Sequence, residues 1–228
     1  VDIDEFERRV GEFASEIREL LDACLPGNTQ FKNARISSDT LRASFGATKK
    51  LDIRSSDRAS LVCGYNLCAN STGRHIAVEA SSFSLEYQAN SRPVPVVRFE
   101  YDRNANSKPV SHFHFHSDSV PLGLMLARAG KHEDSAQQQN LHFPMGGHRY
   151  RVCLEDIIEL VIREFNAESL AGWEARVKEG RRDYRKRQAE TIISKNTRLA
   201  SEILEEIGFR VSPPAGYEYP PADDSCEW

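Results

Sequence analysis

The chain has 228 residues, a formal net charge of −4, 39% hydrophobic and 28% charged residues. That length predicts one domain, or one domain with a helical extension. The acid excess excludes a wholly basic nucleic-acid binder but leaves room for a local basic patch, and the sequence holds no apolar run long enough to span a membrane. The five cysteines, Cys24, Cys63, Cys68, Cys153 and Cys226, are odd in number and form no CxxC pair, which argues against a disulfide framework or a cysteine zinc site. Reduced thiols and a cytoplasmic location are expected. The opening residues, Val1-Asp2-Ile3-Asp4, carry no signal-peptide pattern.

Residues 3–25 predict a helix: Ile3, Phe6, Val10, Phe13, Ile17, Leu20, Leu21 and Cys24 recur at helical spacing. Pro26-Gly27 ends it. From about 28 to 117 the period becomes two. Leu41, Ala43 and Phe45, then Leu61, Cys63, Tyr65 and Leu67, alternate with polar residues. Ile76, Val78 and Ala80 share one parity and Phe83, Leu85 and Tyr87 the other, which predicts a bulge at Ser81-Ser82. Val97, Phe99 and Tyr101, then Phe113 and Phe115, continue the pattern. The segment predicts a curved antiparallel meander of five or six strands with one wet face.

A short helix is expected at 119–130, then a polar loop from Lys131 to Asn140 with the exposed side chains of a mobile segment. A short strand or turn with a Gly146-Gly147 hinge follows. Residues 153–165 predict a helix with the stripe Leu154, Ile157, Ile158, Val161, Ile162 and Phe165. A longer, polar helical stretch spans 168–207, with Gly180 as a candidate interruption. The expected organisation is an α+β domain over 1–166, a basic and amphipathic helical extension over 167–210, and an acidic, Pro-rich tail over 211–228. Helices are expected on one sheet face, with the N-terminal helix among them.

Six of the seven histidines fall between 112 and 148. His112, His114 and His116 alternate with Phe113 and Phe115, so a strand puts the three imidazoles on one face and the phenyl rings on the core face. If 96–101 pairs with 111–116, Arg98 and Glu100 join the histidines, and Glu79 or Glu86 reaches the same face by parity. Such a face suits metal binding, with a His-x-His pair from His112, His114 and His116 on a zinc ion, His142 or His148 as the third ligand, and Glu100 as a further ligand or as an acceptor behind one, as in alpha-type carbonic anhydrases and cupins. It equally suits metal-free acid–base chemistry without any cofactor, in which histidines act as base and acid and Arg149, Tyr150 and Arg151 hold a phosphate. A third reading is plain polar surface or a docking face for a covering helix. Cys153, at a helix start, is either a reactive thiolate or a small capping residue.

Seven basic residues lie between Arg176 and Arg187, and Lys178, Arg181, Arg182 and Arg185 form one stripe at helical spacing. The stripe is either a solvated face, offset by the tail acids Glu218, Asp223, Asp224 and Glu227, or a phosphate-tracking arm. Only Trp173 and Tyr184 lie near enough for base stacking.

Arg-Phe-Glu-Tyr-Asp at 98–102, His-Phe-His-Phe-His at 112–116, the later Pro-x-Gly-Gly-His-Arg segment and Leu-Glu-Asp-Ile-Ile-Glu-Leu at 154–160 resemble the small toxin components of toxin–antitoxin pairs of the TumE type. The resemblance covers roughly 70 residues, departs from the family by an insertion between His116 and Leu141, and adds both terminal helices. It implies a toxin-like or phage-defence protein, with an antitoxin or defence component as partner, that acts on RNA or translation. On that resemblance His112, His114 and His116 match the His-rich strand, and Leu154, Glu155 and Asp156 the helix start. The leading expectation is a metal-independent RNase-like site of His112, His114, His116, Arg149 and Tyr150. Arg98, Arg151, Lys178, Arg181, Arg182 and Arg185 contact nucleic acid on this reading. A protein-binding module and a metal-dependent hydrolase are the alternatives, and no membrane partner is expected.

Overall fold

Asp2 opens helix α1 (Ile3–Cys24) by accepting a hydrogen bond from the Asp4 amide at 3.3 Å, and the acids Asp4 and Glu5 sit on its first turn, where the helix dipole favours them. The apolar face carries Phe6, Val10, Ile17, Leu20 and Leu21 into the core. Gly27, at φ +79°, takes the chain out of the helix through the left-handed region. These observations come from a computed structural model that describes residues 2–37, 39–53, 56, 58–69, 75–89, 92–117, 119–145 and 151–219.

Among the described residues seven antiparallel strands follow in meander order: β1 (Gln30–Ser37), β2 (Arg42–Leu51), β3 (Ala59–Ala69), β4 (Ile76–Ala89), β5 (Arg92–Asp102), β6 (Ser111–Phe115) and β7 (Phe143–Pro144). Six lie in the segment whose period is two. The seventh has two residues and returns from the helical insertion to pair with β6. The sheet stays open, so the fold is α+β, as the periodicity predicts. Phe45, Leu61, Cys63, Tyr65, Leu67, Phe83, Leu85 and Val97 point to one core, and burial of each large apolar side chain contributes about 1.5–3 kcal/mol.

The parity switch in β4 falls earlier than the expected Ser81-Ser82. Asn66 faces Ala80 while Leu67 faces Val78, so Glu79 is the extra residue of the bulge. A second irregularity follows Leu85 in the pairing with β5. Glu79 is drawn to Arg42 (2.8 Å) and Asn104 (3.2 Å) at the sheet's other end, and Glu86 lies beyond the second shift. Neither carboxylate joins the histidines. Ser82 and Ser84 stand opposite Glu100 and Arg98 instead.

Helices α4 (Leu154–Arg163) and α5 (Trp173–Lys195) pack with α1 over the core face. α4 buries Leu154, Ile157, Ile158 and Val161. The polar run expected to be a loop instead forms α3 (His132–Ala136) and a single 3-10 turn at Gln138–Asn140, after α2 (Val120–Arg128). Gln138 explains the difference: its buried amide accepts from the Ser119 N–H at 2.7 Å and donates to the Ser119 carbonyl at 2.9 Å. This insertion lies over the histidine end of the second sheet face, so that face is not open there. His112 is 0% and His114 4% exposed.

α5 runs unbroken through Gly180, and the chain breaks at Asn196 before α6 (Thr197–Glu206). Gly180 is a close-approach site: a Cβ there would meet Glu155 Oε1 at 2.3 Å, and Glu155 is buried. Gly180→Ala is therefore expected to lose about 1–3 kcal/mol by overlap, more than the ~1 kcal/mol it gains in helix propensity. Adding Glu155→Ala should recover stability, a sign reversal readable by urea denaturation of the single and double variants. No helix among the described residues is long and apolar enough to cross a membrane. The Gly146-Gly147 hinge, His148, Arg149, Tyr150, Cys226 and the tail acids Asp223, Asp224 and Glu227 lie outside the described residues.

Candidate metal centre

The β5–β6 hairpin has the register that alternation requires. Arg98 faces His114, Phe99 faces Phe113, and Glu100 faces His112. Phe113 packs on the core side against Phe99 (centroids 6.0 Å) and stacks on Phe143 (5.1 Å). Phe115 departs from the expectation: it ends the strand and is 49% exposed. The pairs His112 with Pro144 and Phe113 with Phe143, continued by one residue, set His142 beside His114 on the same face. Ring centroids are 5.0 Å apart for His112 and His114, 4.8 Å for His112 and His142, and 4.7 Å for His114 and His142. One ring nitrogen from each lies within 4.8 Å of the others.

Backbone carbonyls fix the proton positions. His112 Nδ1 lies 2.7 Å from the Pro109 carbonyl, and His114 Nδ1 lies 2.9 Å from the Gln139 carbonyl. A carbonyl only accepts, so each Nδ1 must donate. Each neutral ring then presents the lone pair of Nε2. Both Nε2 atoms point at one oxygen, Glu100 Oε2, at 3.2 Å for His112 and 3.4 Å for His114. Two lone pairs aimed at a carboxylate repel it unless a proton or a cation lies among them. Bonds of about 2.0–2.1 Å to a tetrahedral metal put neighbouring ligand atoms about 3.3–3.4 Å apart, close to the two observed distances. The wider spread to His142 closes by ring movement on the order of 1 Å. A metal ligand whose second nitrogen donates to a carbonyl is the usual arrangement of a histidine site.

The electrostatics agree. Burial, more than any neighbouring charge, holds His112 and His142 below the ordinary imidazole range, which favours the neutral, ligating form. Hydrogen bonding by His114, which needs a proton on Nε2, brings the Glu100 carboxyl down to about 2 against the opposing effect of burial, with Arg98 and Lys108 adding to it, and a cation in that proton's place acts in the same direction. Arg98 Nε is 2.8 Å from Glu100 Oε1, and Lys108 Nζ is 3.7 Å from Oε2.

Other expected site residues are placed elsewhere. His116 lies just past the end of β6 and does not join the triad. Arg151 lies across the sheet, its guanidinium 4.0 Å from the Tyr101 ring and Nε donating to the Tyr184 hydroxyl at 3.0 Å; it cannot clamp a phosphate on the histidine face. Arg181 reaches back to α4, 2.7 Å from Asp156 and 2.5 Å from Glu159, and so ties two helices rather than facing solvent. Lys178, Arg182 and Arg185 are exposed. Trp173 is half-buried against the core beside Arg163, and Tyr184 is bound to Arg151, so neither ring is presented for stacking. His132 is exposed on α3, away from the triad.

Cys153 stands at the N-cap of α4, where its amide and its thiol both donate to Asp156 Oδ2, each at 3.2 Å. Burial, with Glu155 and Asp156 adding to it, pushes this thiol far above its ordinary value. The helix N-terminus alone predicts the opposite shift; here burial and the two neighbouring acids disfavour the thiolate. Comparison with protein-family models, with curated proteins and with solved structures finds no match to this chain.

Proposed function

We propose that the protein is a divalent-metal enzyme of hydrolytic type, with His112, His114 and His142 as nitrogen ligands and Glu100 as the carboxylate. The observation that carries this reading is the convergence of two tautomer-fixed Nε2 lone pairs, with His142 beside them, on one carboxylate oxygen. The donor set, three imidazoles and one carboxylate, suits zinc and its first-row neighbours. Zinc can expand to five ligands and the neighbours take six, which leaves space for water and a substrate oxygen. A metal there acidifies bound water and polarises the bond to be cleaved. Arg98 and Lys108 beside the cation favour an anionic substrate.

The metal-free RNase-like alternative has less support, because Arg151, one of the groups expected to hold the phosphate, lies on the opposite face. The test is hydrolysis of a panel of p-nitrophenyl carboxylate, phosphate monoester and phosphodiester substrates by metal-stripped and zinc-restored protein. Turnover restored by zinc, lost in His114→Ala and unchanged in His132→Ala, is the expected result. Turnover that survives stripping would refute the metal reading.

Action on nucleic acid is a second reading, and the exposure of Lys178, Arg182 and Arg185 along α5 favours it. On this reading, RNA affinity in a filter-binding titration falls steeply between 50 and 200 mM salt, on the order of 10-fold or more for a few phosphate contacts. Changing the three residues to Glu abolishes that slope. An unchanged affinity would leave the basic face a solvated surface.

A further inference from the structure

Beside the triad, three buried side-chain atoms have no hydrogen-bond partner: Ser84 Oγ, Arg98 Nε and His116 Nε2. Buried polar atoms without partners are uncommon, and each calls for a reason. These three lie together. Ser84 on β4 stands opposite Arg98 on β5, and Arg98 stands opposite the ligand His114 on β6. The His116 amide donates to the Val96 carbonyl at 3.0 Å, which makes His116 the diagonal neighbour of Arg98 on the same face. Arg98 Nε is close to Glu100 Oε1, at 2.8 Å, yet off the line of a hydrogen bond.

Arg98 Nε–H can only donate, and a serine hydroxyl and an imidazole N–H can both donate as well. Three donor-capable groups that lack an acceptor, set next to a cation site, match the lone pairs of an oxyanion. We infer that Ser84, Arg98 and His116 form an oxyanion pocket beside the metal, which takes the phosphoryl or carboxyl group of an anionic ester substrate. The inference deepens the metal reading and rests on it for the chemistry, but the pocket itself is built from residues outside the ligand set. The row Ser84–Arg98–His114 runs across three strands, so an anion on Arg98 lies against the metal edge of the pocket. The unsatisfied Nε–H and the terminal N–H on the same edge of the guanidinium make two parallel donors, which fit a phosphate or carboxylate edge.

The test titrates inorganic phosphate, and separately acetate, into the full chain by calorimetry, both metal-free and zinc-loaded. The proteins are wild type, Ser84→Ala, Arg98→Gln and His116→Ala, with zinc stoichiometry measured on each. Phosphate or acetate is expected to bind zinc-loaded wild type, with tighter phosphate assigning a phosphoryl group and tighter acetate a carboxyl group. Affinity is expected to fall at least about 5-fold in Ser84→Ala and 10-fold in the other two, at unchanged zinc stoichiometry. Ser84→Ala should also match or exceed wild type in thermal stability, since it removes an unsatisfied hydroxyl; this separates lost binding from lost folding. Absence of anion binding to wild type, or equal affinity in all four proteins, overturns the pocket. If wild type takes up no zinc, the metal reading fails separately, and the metal-free titrations decide the pocket by the same criteria.

Discussion

His142→Ala is expected to lower zinc affinity on the order of 100-fold or more while the fold remains intact. His142 precedes the two-residue strand β7, is half-buried, and contributes its ring to the triad rather than to the core. His112→Ala is expected to lose zinc as well, but also to unfold more readily. That ring is 0% exposed and donates to the Pro109 carbonyl, so truncation leaves a cavity and an unpaired carbonyl, together about 2–4 kcal/mol. His116→Ala should retain zinc. Competition titration against a chelating dye and urea denaturation, run on the three variants, separate the two losses. Equal zinc affinity in wild type and His142→Ala would remove His142 from the site.

The second large effect lies far from the histidines. Lys49 is 1% exposed, and its ammonium donates to Asp22 Oδ1 at 2.6 Å and to the Gly27 carbonyl at 2.5 Å. Asp22 also accepts from the amide and hydroxyl of Thr29, at 3.0 and 2.6 Å, so one carboxylate holds the end of α1, the start of β1 and the last residues of β2 before Leu51. Removal of one partner of a buried pair costs about 3–5 kcal/mol because the other charge stays buried. Asp22 is partly exposed, so Asp22→Ala is expected near the lower figure, about 3 kcal/mol. Lys49→Met, which removes the buried charge itself, should cost less than half as much.

Burial raises the Asp22 carboxyl, but the hydrogen bonds from Lys49 and Thr29 outweigh it and bring the group below its usual value. The folded pKa is thus below the unfolded one. The contribution is complete above the unfolded value, about 3.9, and is lost as pH falls through the lower folded value. Acid denaturation followed by circular dichroism should show a shallower acid limb in Asp22→Ala than in wild type. An identical limb would contradict this role.

Much of the fold was legible because single-residue alternation survives in β2, β3, β5 and β6, where each strand has one core face. Arg98, Glu100, His112 and His114 share a face in the structure for the same reason. The failures are local and physical. Bulges at Glu79 on β4 and at Val96 on β5 reset parity; the parity switch in the sequence predicts the first, two residues late, at Ser81-Ser82, and gives no sign of the second. The run from Lys131 to Asn140 is polar throughout, yet it folds because Gln138 satisfies the Ser119 backbone. A glutamine that replaces backbone partners looks, in sequence, like any solvated glutamine. His142 was one of two candidate third ligands, and only the pairing of Phe113 with Phe143 places it on the triad's face. Arg181 sits at the spacing of an exposed stripe, and Asp156 and Glu159 turn it inward.

The most direct measurement is X-ray absorption at the zinc edge on the full chain, expressed without a polyhistidine tag and loaded with one equivalent of zinc. The account predicts three imidazole nitrogens and one carboxylate oxygen at about 2.0–2.2 Å, with the imidazole contribution reduced by one ring in His142→Ala. A shell of oxygens alone, or a spectrum identical in wild type and His142→Ala, would contradict it.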